Sequence, residues 1–308
     1  MSQNTPEFLV KYCNTKTAMS ILSSRALRWS APNLYSDPFE LTHATALNFD
    51  PHILLQAATQ TAIAMVFAKD TPRGNSPLLN VIRRWRDEER FTSPDEAEEV
   101  LRELLSQMVD VRQKVIDTVM ADWRQFSRSI RICSFTTKSD NLSAWNRFAD
   151  NHKGVAIRFQ CGEFTHLTEP MEVEYTNIRP EVTNLKKQLG SVIHNDIYDA
   201  QDHFYNNLCH KPQINRDEQE WRCFHKSTDD IDSNQDLWFE DIGFERSEVS
   251  AIYFGAFTPA AEKRAIYEII KEHYAQAKVF QAKTVSGKYE IEFERIAKKT
   301  AKKPAPKK

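Results

Sequence analysis

Strand-like segments in this chain never fall into a regular strand–helix–strand rhythm, and that order limits the fold more than any other feature. FLVKY (Phe8–Tyr12) reads as a short strand, Thr15–Ser24 as a helix and LRWS (Leu27–Ser30) as a second strand. Turn formers follow at Pro32, Asn33, Asp37 and Pro38. Residues 51–127 then read as helical. Within them Ser93-Pro94-Asp95-Glu96 puts Ser at an N-cap, Pro at N1 and Glu at N3. Val100, Leu104, Met108, Val111, Val115 and Val119 recur at three or four residues, the spacing of an apolar helix face. The charge-rich Arg83–Arg90 reads as a solvated helix end or loop.

Beyond that stretch IRICSFT (Ile130–Thr136) is a strand, Asn141–Asn151 a short helix and Val155–Phe159 a strand entered through Gly154. Val173–Tyr175 reads as strand, Pro180–Cys209 as helix, and EQEWRCF (Glu218–Phe224) alternates as a half-buried strand does. Val249–Phe254, a helix over Pro259–Ala275, and strands at Val279–Ala282 and Tyr289–Phe293 complete the pattern. The order predicts an α+β fold: one domain over 1–297, with helical insertions at about 51–127 and 180–210, and a Lys-rich disordered tail at 298–308.

Composition removes several function classes. The seven glycines are too far apart for GxGxxG or GxxxxGK[ST], so neither a Rossmann fingerprint nor a P-loop is present. Outside the last eleven residues, 35 basic residues face 43 acidic ones, which argues against a broadly basic nucleic-acid surface. A local basic pocket from Arg28, Arg131 and Lys211 remains open. Five cysteines without a CxxC speak against a zinc site or a disulfide framework. MSQNTPEF lacks the features of a signal peptide, and Leu54–Ala68 is too short and too polar to span a bilayer. The expected setting is the cytoplasm, without a membrane.

The densest polar constellation is Glu218-Gln219-Glu220-Trp221-Arg222. On a strand, Glu218, Glu220 and Arg222 share one face, with the two carboxylates about 7 Å apart. In a cleft, repulsion between them is expected to raise at least one pKa and suit it to proton transfer. A solvated sheet face with an intrastrand Glu–Arg pair fits the same spacing. Ser134 and Thr136 form a second same-face pair, and Asp37-Pro38 a rigid turn. Lys11-Tyr12 and His152-Lys153-Gly154 are further candidates. His203 and His210, seven apart on one expected helix, lack the acidic partners of a metal motif.

Taken together, these segments resemble an uncharacterised bacterial family of unknown function. Its pattern runs KY, an LRFS-like strand, NDPF[DE], CFS, LMWxxYAxxHxG, ExEwR and a late IxxIxxG strand. The matches here are Lys11-Tyr12, Leu27–Ser30, Ser36–Glu40, Cys133-Ser134-Phe135, Leu142–Gly154, Glu218–Arg222 and Ile252–Gly255. Ser36, Ala144 and Phe148 depart from it, the last without the usual tyrosine hydroxyl.

The order of KY strand, S-F-T strand and E-x-E strand also looks like the three-motif layout of ADP-ribosyltransferases, more distantly. That likeness implies a split β-sheet core and NAD as substrate. Lys11 or Tyr12, with Ser134 or Thr136, would hold NAD. Trp145 or Tyr12 would stack on the nicotinamide, and His152 would add a contact. Glu220 would stabilise the oxocarbenium-like cation and Glu218 would serve the acceptor. No metal is implied. The acceptor would be RNA, DNA or protein, the biological role that of a toxin or phage-defence effector, with an antitoxin or other regulatory partner. Two other classes fit the residues: a Mg²⁺-dependent nuclease or hydrolase using Asp37, Glu218 and Glu220, and a non-catalytic binding protein.

Overall fold

The computed structural model describes residues 5–227 and 238–296; the Lys-rich 298–308 lie outside the described residues. In chain order the elements are β1 (Phe8–Cys13), α1 (Thr15–Ser24), β2 (Ala26–Ser30), α2 (Pro51–Phe67), α3 (Pro77–Asp87) and α4 (Pro94–Ser129). Next come β3 (Ile130–Thr136), α5 (Leu142–Arg147), β4 (Val155–Gln160), β5 (Met171–Glu172), β6 (Glu174–Thr176) and α6 (Leu185–His194). The remainder is α7 (Phe204–Asn207), β7 (His210–Pro212), β8 (Glu220–Lys226), β9 (Phe239–Gly243), β10 (Val249–Phe254), α8 (Ala260–His273), β11 (Lys278–Thr284) and β12 (Ile291–Arg295). The fold is α+β with a mixed, open sheet. The chain forms two compact units.

The first unit draws on Met1–Ser36, Ser129–Ile178 and Cys209–Lys308 in their described parts. Its main sheet runs β12-β11-β10-β4-β1-β3-β2-β9, with β8 on β3 and β5 on β8. The sheet forks at β3. One edge of β3 is bonded to β8 from Ile130↔Lys226 to Thr136↔Glu220. The other edge meets β1 only at Val10↔Thr136 and β2 only at Ser30↔Ile132. β1 and β2 thus meet the same edge of β3 at different points, and α1 connects them. Asn14 caps α1 by accepting from the Thr17 N–H, and Arg25, left-handed at φ 57°, ends it.

Strand alternation then sorts the core. Leu9, Cys13, Cys133, Phe135, Ile157, Phe159, Ile252 and Phe254 face α1 and α8, packing with Leu22, Ile266 and Ile270. Val10, Tyr12, Ala156 and Tyr253 face the other way, onto Ala144 and Trp145 of α5 and Ala149 after it. Val173–Tyr175 is not one strand. Val173 separates β5, which pairs with β8, from β6, which pairs in parallel with β7. Glu218 is not on a strand either: Gln213–Glu218 is a 3₁₀ turn, and Gln219, left-handed at φ 48°, swings the chain into β8.

The second unit comprises Asp37–Arg128 and Arg179–Leu208, so the two helical insertions share it. Ser76 caps α3 and also donates to the Ile193 carbonyl at 2.6 Å, tying α3 to the end of α6. Ser93 accepts from the Glu96 N–H at 3.3 Å at the start of α4, while the Glu96 carboxylate turns back to Thr92. Two sequence expectations fail here. Pro180–Cys209 is not one helix: α6 stops at left-handed Asn195, and only a 3₁₀ turn at Gln201–His203 and the short α7 follow. Arg83–Arg90, by contrast, is the largely exposed end of α3 and the turn after it, as expected. The face that α4 buries is Leu101, Leu105, Val109, Ile116, Met120 and Trp123, not the Leu104–Val119 stripe. A long helix with apolar residues over half its circumference offers two such stripes, and spacing cannot choose between them.

Candidate functional site

Five charged side chains of the first unit meet where β8 begins. The Lys211 ammonium, on β7, lies 2.5 Å from Glu218 Oε2 and 2.8 Å from Glu220 Oε2. Arg222 Nε donates to Glu220 Oε1 at 2.8 Å, as their shared strand face requires. Arg147, in the last turn of α5, donates to the other oxygen of Glu218 and to Asn215 Oδ1. The two carboxylates therefore converge through Lys211 rather than through strand alternation. Asn141, the N-cap of α5, holds the preceding turn by donating to the carbonyls of Asp217 and Glu218 at 2.8 and 3.0 Å. Tyr175 Oη accepts the Glu220 backbone N–H at 2.8 Å.

Strand β3 completes the site. Ser134 lies opposite Arg222 and Thr136 opposite Glu220, so all four share one face. Ser134 bonds to the Glu220 carboxylate, and Tyr35 Oη sits 3.4 Å from Ser134 Oγ. The Arg222 guanidinium lies over the Tyr35 ring, 5.5 Å from its centre. Glu218 and Glu220 are buried, with side chains 3% and 8% exposed; Arg222 is buried as well, while Arg147 is half-exposed.

The electrostatics reverse the expectation from spacing. Burial opposes the charge on Glu220 most strongly, but Arg222, Lys211 and the hydrogen bonds from Lys211 and Ser134 outweigh it and hold its pKa at about 2. The expected repulsion does not raise Glu220, because cations stand between the two carboxylates. Lys211 itself is raised: burial pulls it down, and the two carboxylates more than compensate. Burial pushes the Tyr175 phenol up to about 12 and carries Tyr35 higher still.

The other expected site residues are placed elsewhere. Lys11 pairs with Ile157 and shares the face of Leu9, opposite that of Glu220. Its ammonium donates to the Ser134 carbonyl at 2.9 Å and lies over the Phe135 ring. Tyr12 is on the Glu220 face but buried, its hydroxyl donating to the Lys138 carbonyl at 2.7 Å. Trp145 is 0% exposed, edge-on to Tyr12 and bonded to the Ser139 carbonyl, so no nicotinamide can stack on it in this conformation. His152, left-handed at φ 65°, stacks on Trp145, and its carbonyl accepts from Phe257 N–H. Asp37 belongs to the second unit, where its carboxylate accepts from the Phe39 N–H. His203 stacks on Tyr198 in the second unit, whereas His210 opens β7 in the first beside Glu174; they share no helix. Arg131 is wholly buried and Arg28 is bidentate to Asp241, so these two and Lys211 do not make an open basic pocket.

The sequence reading missed Tyr35, Asn141, Arg147 and Tyr175, and knew Lys211 only as a cation. Asn141 and Arg147 lie in or beside the Leu142–Gly154 motif, which was the available signal. Tyr175 and Lys211 carry no local signal, because β6 and β7 meet Glu220 only through tertiary structure. Among the described residues no group of His, Cys, Asp or Glu is arranged to hold a metal ion, and no helix is long and apolar enough to cross a membrane.

Comparison with family models, curated proteins and solved structures finds no match.

Proposed function

We propose that the chain is an NAD-dependent ADP-ribosyltransferase centred on Glu220. The observation that carries this reading is the state of that carboxylate: ionised, buried, and flanked by Ser134 and Thr136 at the fork of the sheet. Breaking the bond between nicotinamide and ribose sends its electron pair out with nicotinamide and leaves positive charge on the ribose. A fixed anion stabilises that charge as it develops, and its worth rises in a site closed to water. Glu220 needs no proton for this role, so a pKa of about 2 suits it. Ser134 would brace the ribose. Glu218 would take the proton from the acceptor as its oxygen or nitrogen bonds to the ribose carbon. Lys211 holds both carboxylates and must release at least one of them to admit substrate. The role as toxin or phage-defence effector, and an acceptor among RNA, DNA and protein, are part of the same proposal.

A second reading has its own observation. Both carboxylates are saturated by cations and nearly closed to solvent, as in a structural salt network. A Mg²⁺-dependent hydrolase finds less support, since Lys211 occupies the position between Glu218 and Glu220 that a shared cation would take. The test measures nicotinamide release and label transfer from radiolabelled NAD, with protein, RNA and DNA acceptors. Wild type is compared with Ser134→Ala and Glu220→Gln, each checked for folding. Transfer by wild type that drops at least 100-fold in folded Glu220→Gln supports the transferase. Absence of turnover with every acceptor favours the structural network, and chelator-sensitive cleavage of a phosphodiester favours the hydrolase.

A further inference from the structure

Charge on the outer strands of the main sheet is sorted by face. Register puts Val10, Arg158, Ala251 and Lys278 in one row across β1, β4, β10 and β11. The next row runs Tyr12, Ala156, Tyr253, Phe280 and Arg295, ending on β12. Residues paired in register, and residues two apart on a strand, share a face. Arg158, Lys278 and Arg295 therefore stand on the side of Tyr253, and Phe293, paired with Ala282, stands there too. Glu292 and Glu294 alternate with Phe293 and Arg295, so they turn to the other side, where α8 packs. They are the only acids on these five strands, so the cationic face carries none.

The three cations are open to a ligand. Helix α5 covers Val10, Ala156 and Tyr253, while Lys278 and Arg295 stay exposed and Arg158 half-buried. Arg158 Nε donates to Ser250 Oγ at 3.0 Å, and its guanidinium lies 4.5 Å from the centre of the Phe8 ring. Among the described residues no carboxylate pairs with any of the three, and Glu294 pairs with Lys283 instead. Arg158 and Lys278 stand two strands apart, about 10 Å. The Phe8, Phe280 and Phe293 rings beside these cations are half-buried. Residues 298–308, which follow β12 closely in sequence, add six Lys and no acid. Residues 1–297 hold more acids than bases, so an acid-free face of cations and aromatic rings selects a polyanion with flat apolar groups. A duplex keeps its bases in the stack, whereas a single strand offers them to aromatic side chains. We propose that this face binds single-stranded nucleic acid, with Arg158, Lys278 and Arg295 on phosphates and Phe8, Phe280 and Phe293 against bases. On the transferase reading that strand is the acceptor, but its binding needs neither NAD nor Glu220.

The test is fluorescence anisotropy of labelled dT20, rU20 and a 20-base-pair DNA duplex with the full chain, without NAD. Co-sedimentation with vesicles of phosphatidylserine and phosphatidylcholine runs alongside. Either single strand is expected to bind in the micromolar range at about 50 mM salt, more tightly than the duplex. Lys278→Gln with Arg295→Gln, both at exposed positions, should lower the slope of log affinity against log salt by about 1.4. Phe280→Leu, checked for folding by circular dichroism, should weaken binding about ten-fold by removing a ring while keeping an apolar side chain. Deleting 298–308 should weaken binding without abolishing it. Lack of binding to both single strands at about 100 µM protein overturns the proposal. So does a duplex bound as tightly as the single strands, or vesicles bound when the strands are not. Binding that both substitution variants keep intact and the deletion abolishes assigns it to the tail and overturns it as well. Because NAD is left out, none of these results depends on whether Glu220 catalyses transfer.

Discussion

Replacing Glu220 by Gln should cost the first unit about 3 kcal/mol at neutral pH, and that cost should vanish in acid. The figure follows from the carboxyl being held at about 2 against an ordinary 4.5. It agrees with the roughly 3–5 kcal/mol lost when one partner of a buried ion pair is removed. Arg222, 1% exposed, would lose its carboxylate at 2.8 Å, and Lys211 would keep only Glu218. Because the folded-state value is depressed, this stabilisation is present in full above about pH 4.5 and fades as pH falls toward 2. The difference between wild type and variant should therefore narrow from about 3 kcal/mol at pH 7 to below about 1 kcal/mol near pH 2.5. Urea unfolding at each pH, read by pulsed hydrogen exchange and mass spectrometry of peptides spanning β3 and β8, isolates this unit from the other. A loss under about 1 kcal/mol at pH 7, or a difference that stays constant from pH 7 to pH 3, would refute the reasoning.

Tyr35→Phe removes a hydroxyl placed between Ser134 Oγ and the Ile132 carbonyl, and should cost about 1 kcal/mol in the same assay without loss of fold. Gly154→Ala should block folding or cost more than about 3 kcal/mol, because the added Cβ would strike the Cys13 carbonyl and the Ala149 backbone; soluble yield and the melting transition report it. Trp123→Ala should open the second unit by about 4 kcal/mol, since the ring is 0% exposed and packs against Phe126 and Phe204; exchange in α4 and α7 peptides should rise while β3 and β8 peptides stay protected. Arg28→Ala should change stability by under about 1 kcal/mol, its pair with Asp241 being half in solvent, as urea unfolding can check.

Elements whose information is local were legible in the sequence. Helix α1 and strands β3 and β10 fall where composition and period put them, since capping by Asn14 and β-branched runs act within a few residues. Glu220 and Arg222, two apart on one strand, were expected on one face and are. Period two failed at Glu218, because the left-handed Gln219 breaks the strand between the carboxylates. Parity alone did not part Lys11 from Glu220; that required knowing that Val10, not Lys11, pairs with Thr136.

The sequence by itself determined the mixture of strands and helices, the absence of glycine-rich phosphate loops and the concentration of charge around Glu218–Arg222. Tertiary structure alone decided what that charge is. Lys211 from β7, Arg147 from α5 and Tyr175 from β6 reach the start of β8 from three separate elements, and they turn two repelling carboxylates into a cation-held pair. The reason is range. Propensity and capping are settled within one turn of chain, whereas a pKa depends on whichever charges the fold brings within a few ångströms.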